Sequence, residues 1–376
     1  MCGLAAGCKY TGVTLVALPI GVAVLLMPAR SIVERLKRGT LFAVAALATF
    51  SPWLIKNAVF TGNPVFPLAS SVFDAYPSGW GPPEAAHFEE CHRPLPSQRT
   101  LVGRLRELWR QVIANEFNLF GVITLAAPWL LLIAWFDRRR RSDGGDRSNA
   151  TALLTCVLLV QLLAWLFGTH LYARFAIVLV LPLALMSAGA LAYASLRFGS
   201  WVVASLMVIG TVLNLIPIGR LYRDHFYTDG ARAALEGGIE LFTRGPDTDY
   251  ARQPLPYINR DLPADARILM LGDARAFYFH RHVDYCVVFN RNPFVEAIRA
   301  NPDPAAIIGW LQERGYTHVL VNWLEIERLR RSAYGFPAEV NPDLFTQLAS
   351  AGLRKVRTFD LLRTQRAYAD LFEVPH

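Results

Sequence analysis

Apolar positions along this chain come in long blocks up to about residue 220 and in short alternating runs after it. Uncharged, mostly apolar stretches cover 11–28, 39–55, 117–136, 148–169, 175–196 and 198–219. A run of about 18 or more such residues reads as a transmembrane helix, since roughly 20 residues cross the hydrocarbon core. Four runs exceed that length, and the first two lie at its margin. Both pass it if Gly3–Tyr10 and Lys56–Phe60 continue their helices. The expected fold is therefore a membrane α-helical bundle of six transmembrane helices over 1–220, with a long loop at 58–116, followed by a small α/β soluble domain over 221–376.

The loop begins with a stretch rich in Pro, Gly and aromatics. In its second part, Leu101, Leu105, Leu108 and Val112 recur at three-and-four spacing. Val102, Trp109 and Ile113 widen that face, and Arg99, Arg104, Arg106 and Arg110 occupy other positions. The pattern predicts an amphipathic helix in the membrane interface. Beyond residue 220, "ARILMLGD" (266–273), "THVLVNW" (317–323) and "LRKVRTFD" (353–360) predict strands, as do "VDYCVVF" and "AYADLFEV". Helices are expected over 303–314, 324–331 and 342–351. This alternation predicts an α/β layer domain. "LGD" ends a strand without a following GxGxxG, which argues against a nucleotide site.

Charge orients the bundle. Arg30, Arg35, Lys37 and Arg38, then Arg138–Arg141 with Arg147, then Arg197 fall in alternate connections. Short basic loops stay cytoplasmic. The opposite, periplasmic side then holds 58–116, the turn 169–174 and the C-terminal domain, in a bacterial inner membrane. The net charge of +8 is largely this topology signal. No basic stripe interleaved with aromatics suggests nucleic acid. Of five cysteines, Cys2, Cys8 and Cys156 fall in apolar runs, and Cys91 and Cys286 form the one pair open to a disulfide.

The stretch with most chemistry is "SPWLIKNAVFTGNPVFP", 51–67. Trp53 suits the interfacial belt. Lys56 reaches the surface, where its ammonium can meet a lipid phosphate. Asn63 precedes Pro64 and is pushed to an extended backbone, and Pro67 stiffens the exit. An ordinary snorkelling lysine beside a turn fits the same residues. Gln161, polar within an apolar run, should face the bundle interior. "HFEECH" (87–92) has metal-ligand residue types at no established spacing and reads as a solvated loop; no cofactor is expected. Asp273, Arg275, His280 and His282 gather near a strand end without a base–nucleophile arrangement. They suggest acceptor recognition or a structural lid.

"PWLIKNAVFTGNPVFP" resembles the PW-x-x-(R/K)-N-x-x-x-TGNPV-(F/Y)-P signature of bacterial GT-C membrane glycosyltransferases, the group related to protein mannosyltransferases and aminoarabinose transferases. "GLAAGCKYTGVTLVALP" and "ARFAIVLVLPLALMSAGAL" resemble two further spans of that family, in the same order. The resemblance covers residues 1 to about 220. It implies transfer of a sugar from a polyprenyl-phosphate donor to a lipid or protein acceptor at the periplasmic face. It implies donor-phosphate contacts at Lys9, Lys56 and Arg174, and a cavity lined by Tyr10, Asn57, Asn63, His170 and Tyr172. The family's key acidic residue lies upstream of the Lys9 motif, where this chain begins. The chain therefore reads as N-terminally shortened, unless Asp74, Glu84, Glu89 or Glu90 replaces that base; Asp74 and Glu84 are the catalytic candidates. The alternative is a non-catalytic membrane scaffold whose periplasmic domain binds a partner. A transporter is disfavoured, with no internal repeat and no paired broken helices.

Overall fold

A computed structural model describes residues 1–74, 76–77, 79–114, 116, 145–188, 200–221, 254–360 and 367–375. The chain divides into two units. One comprises Met1–Ala75 with His92–Arg220, and the other Tyr76–Cys91 with Leu221–His376.

The first unit is helical among the described residues, and the longest helix described there is Ile32–Thr61. Ser31 starts it by accepting from the Glu34 N–H at 3.2 Å, while the Glu34 carboxylate accepts from the Arg30 N–H at 2.8 Å. This is close to a capping box, and it starts the helix at Ile32, seven residues before the apolar run at 39. The helix therefore takes in Arg35, Lys37 and Arg38, and runs on past Pro52 and Lys56 to Gly62, which caps it at φ +73°. The short helix Cys2–Cys8 packs on it through its small residues. A Cβ on Gly3 would fall 2.0 Å from the Ala46 carbonyl oxygen, so only glycine allows the approach.

The six-span bundle expected from the apolar runs is not what the chain forms. Among the described residues one helix, Ile32–Thr61, is long and apolar enough to cross a membrane. Length and composition fit it to a membrane anchor or a signal sequence. The first apolar run breaks at Lys9, whose backbone is extended, and resumes with a π-helical turn, Val13–Ala17. The apolar helices Val13–Leu26, Ala152–Gly168 and Ala173–Ala188 have 10–17 residues. That falls short of the roughly 20 needed to cross the hydrocarbon core. The third run, 117–136, the basic segment 138–141 and residues 189–199 lie outside the described residues. A helix spans Ser200–Leu221.

Among the described residues of the second unit five strands form one mixed sheet: β1 (Arg267–Leu271), β2 (His282–Tyr285), β3 (His318–Asn322), β4 (Arg354–Asp360) and β5 (Ala367–Glu373). Their order is β2-β1-β3-β5-β4. β1 pairs parallel with β2 and β3, and β5 pairs antiparallel with β3 and β4. Strand alternation splits the apolar residues between two layers. Leu269, Leu271, Val319 and Val321 pack with Phe294, Phe345 and Leu348. Ile268, Met270 and Leu320 pack with Ile258, Phe359 and Leu371. Helices Pro293–Ala300, Pro304–Glu313 and Pro342–Ser350 each open on proline behind an Asn or Asp cap: Asn292, Asp303 and Asn341. Proline loses no needed N–H in the first turn, and the cap oxygen accepts an otherwise orphaned one.

Candidate functional site

The loop after Ile32–Thr61 is held by its own side chains. Asn63, fully buried, donates to the Leu68 carbonyl at 2.7 Å and accepts from the Val65 N–H at 2.9 Å. The Thr61 hydroxyl donates to the Asn57 and Asn63 carbonyls at 2.8 and 3.1 Å. Tyr10 ties this loop to the start of the chain. Its hydroxyl donates to the Phe66 carbonyl at 2.5 Å and accepts from Asn57 Nδ2 at 2.7 Å and Trp53 Nε1 at 3.2 Å. Tyr10, Asn57 and Asn63 thus form one hydrogen-bonded anchor. The Tyr10 hydroxyl, Asn57 Nδ2 and both polar atoms of the Asn63 side chain are spent on that anchor.

Beside Tyr10 lies a concentration of positive charge. Lys9 and Arg174 line one cavity of about 290 Å3, together with Thr11, Gly12, Leu15 and Phe175. Both cations sit over the same ring. Lys9 Nζ is 4.4 Å and the Arg174 guanidinium carbon 5.3 Å from the Phe175 centroid. Partial burial first, and Arg174 second, hold the Lys9 ammonium below its ordinary value. Neither cation has an ion-pair partner among the described residues, and no carboxylate lines the cavity. Lys56 is not among the lining residues. Its ammonium lies 4.8 Å from the Trp53 ring centroid, on the helix that carries Asn57.

The turn that presents Arg174 is stiff. Leu171 is buried at φ +58°, a region that non-glycine residues seldom occupy. Three contacts hold it there. Its N–H donates to Thr169 Oγ1, its carbonyl accepts from Gln111 Nε2 at 2.8 Å, and Trp165 Nε1 donates to the next carbonyl, that of Tyr172. His170 packs edge-on against Tyr172, Phe175 and His92, at centroid distances of 4.4, 4.9 and 5.5 Å. Burial, then His92, Arg174 and Lys9, depress its imidazole to about 4. Its Nε2 is buried without a hydrogen-bond partner among the described residues. Gln161 does face the interior, donating to the Leu15 carbonyl that the π-turn leaves available.

None of the four proposed replacement bases lines this cavity. Asp74 is exposed, at a positive φ behind the turn Ser70–Phe73. Glu84 lies in the second unit, 3.5 Å from Arg291 Nε. Glu89 and Glu90 are exposed on helix Pro82–Cys91. That helix also corrects the loop expected at 87–92. His87 Nε2 lies 2.8 Å from the Tyr334 carbonyl, and Cys91 donates to the Ala333 carbonyl. Cys91 and Cys286 are free thiols, so the disulfide is not formed. Sequence reasoning passed over one acid, Glu107. It is buried in the first unit and accepts from Arg110 at 2.9 Å and from Gln111. Burial pushes its carboxyl up, but hydrogen bonds from Gln111, Arg110 and Gln98 outweigh that and hold it down. A carboxylate so satisfied clamps the turn and makes a poor base. Its i+4 spacing to Gln111 was the available signal.

In the second unit Asp273 follows β1 and accepts from Ala274 N, Arg275 N, the Arg275 guanidinium and Asn322 Nδ2. Burial raises its carboxyl, and the Arg275 bonds more than reverse that. His282 pairs with Asp284 at 3.2 Å, and the His280 N–H donates to Asn259. These four residues form separate local pairs. Among the described residues no three His, Cys, Asp or Glu converge as a metal site would need.

A family model described as a domain of unknown function (DUF8201) matches residues 4–181, the stretch that runs from before Lys9 to beyond Arg174. Nothing among the curated proteins or the solved structures matches the chain.

Proposed function

We propose that the first unit holds the phosphate of a lipid-linked sugar at a membrane surface, as a bacterial GT-C-type glycosyltransferase would hold its polyprenyl-phosphate donor. The carrying observation is the pair of cations, Lys9 and Arg174, over one aromatic ring in a cavity where no described residue supplies a carboxylate. An anion between them removes their mutual repulsion, and cations at a departing phosphate stabilise its developing charge. Arg30, Arg35, Lys37 and Arg38 at the start of Ile32–Thr61 favour a cytoplasmic beginning for that helix. Its far end, with Lys56, Asn57 and the Tyr10 anchor, then faces the periplasm of the inner membrane, and so do the cations. The acceptor would be a lipid or a protein. No carboxylate in the cavity is assigned as the base that transfer needs.

That last point favours a second reading, in which the chain binds lipid phosphate as a scaffold without transferring sugar. One experiment addresses both. The full chain in nanodiscs is titrated with polyprenyl phosphate and then assayed for sugar release from a polyprenyl-phosphate sugar. K9A and R174A should each weaken binding roughly ten- to hundredfold, and K56A less. Equal binding by all variants would sink the proposal. Binding without sugar release would select the scaffold.

A further inference from the structure

The second unit carries a cavity of about 410 Å3, within the roughly 300–1,000 Å3 of small-molecule sites. Its lining comes from helix Pro82–Cys91, from the segment 286–292 after β2, from helix Pro293–Ala300 and from the loop 334–337. The charges in it cancel: Glu84 and Glu296 stand against Arg291 and Arg299. Arg299 is engaged by Glu339 at 2.6 Å. Glu84 is only half engaged. Oε1 lies 3.5 Å from Arg291 Nε, while Oε2 is buried with no hydrogen-bond partner among the described residues. The Arg291 side chain is half exposed. Val287, Phe289, Val295 and Phe336 supply apolar surface. Burial pushes the Cys286 thiol up to about 11, and it donates to the Arg291 carbonyl, so it is no nucleophile.

These features select a ligand chemistry. A cation would meet Arg291, and an anion would meet the unpaired Glu84 oxygen. Buried polar atoms require partners, and Glu84 Oε2 requires a donor. A hydroxyl-rich neutral molecule supplies donors to Glu84, acceptors to Arg291 and a C–H face to the apolar surface. We infer that this cavity binds a neutral monosaccharide or glycoside, with Glu84 accepting from one ligand hydroxyl and Arg291 donating to another. The inference uses no residue of the Lys9–Arg174 cavity and stands without the phosphate reading.

The test is saturation-transfer NMR on the full chain in nanodiscs, with methyl glycosides of glucose, mannose and N-acetylglucosamine. Inorganic phosphate and choline serve as charged comparators. At least one glycoside should bind saturably. E84Q should weaken it about tenfold. V287W, at a partly exposed lining position, should fill the cavity and abolish binding, while K9A leaves it unchanged. V287W keeps the test decisive if E84Q unsettles its helix, and circular dichroism checks that each variant folds. No glycoside binding, binding that survives V287W, or preference for phosphate or choline would overturn the inference.

Discussion

The two units treat polarity in opposite ways. In the first, helix Leu101–Leu108 and the π-turn Trp109–Ile113 point Leu101, Val102, Leu105, Trp109 and Ile113 outward, and bury Glu107 and Gln111. The 18-residue apolar window of Ile32–Thr61 has no buried residue, with Val59 and Phe60 about three-quarters exposed. Asn57, Asn63 and Gln161 are inside. In the second unit the layers on either side of the sheet are apolar, and Arg328, Arg331 and Glu327 lie on an outer helix face. Its buried Asp370 is met by Trp323, Thr358 and Lys355. The outward apolar side chains of Ile32–Thr61 go with the membrane anchor or signal sequence that its length and composition fit. Apolar side chains cost nothing facing lipid, whereas water drives them inside.

Substitutions should separate the two regimes. The largest effect is expected for Phe294→Ala, since Phe294 is fully buried in the second unit. Loss of about 3–5 kcal/mol should appear as a lower Tm for that unit by differential scanning calorimetry. A loss under 1 kcal/mol would mean that its interior is not close-packed. In the first unit the equivalent weak point is polar. Tyr10→Phe removes the short bonds to Phe66 O and from Asn57 Nδ2 and leaves those two groups their weaker 3.5 Å contact; it should cost about 0.5–1.5 kcal/mol, read as faster proteolysis within 62–70. A third difference lies in acid response. His170 is held near 4, against 6.5 ordinarily, so the unfolded chain takes up the proton first. Stability of the first unit should be full above about pH 6.5 and fall as the pH drops toward 4. His170→Phe should flatten that profile, and an unchanged profile would remove His170 as its cause. The smallest effect is expected at Trp109. Its replacement by Ala should move folding stability by no more than about 0.5 kcal/mol. A spin label at the same position should be reached by lipid-borne relaxers before aqueous ones. A label reached first from water would end the contrast.

The second unit was legible because its signals are local. Short apolar runs, Ile268–Leu271 and Val319–Val321, marked two strands buried on both faces, and Pro304 marked a helix start. Pro293–Ala300 and Pro254–Asp261 escaped, although Asn292–Pro293 carried the same start signal. In the first unit the caps disagree with the lengths of the apolar runs. Ser31 with Glu34 fixes a start at Ile32, and Lys9 interrupts a run that composition alone joins. The cation pair was reachable in part: the GT-C resemblance singled out Lys9, Lys56 and Arg174, and the geometry brings two of them together. Phe175, the ring they share, carried no sequence signal. The contacts of Cys91 with Ala333 and of His87 with Tyr334 span more than 240 positions, and no periodicity encodes them.

Those same contacts set an order of events. Helix Pro82–Cys91 leaves the ribosome well before the segments at 286–292 and 334–337 exist. Until then Phe88, destined for Phe289, and the thiol of Cys91 have no final neighbours. For most of its synthesis the chain carries a finished wall with no room behind it. A fragment cut at residue 221 would inherit the room without the wall, and should expose the faces of Phe289 and Tyr334 that helix Pro82–Cys91 covers.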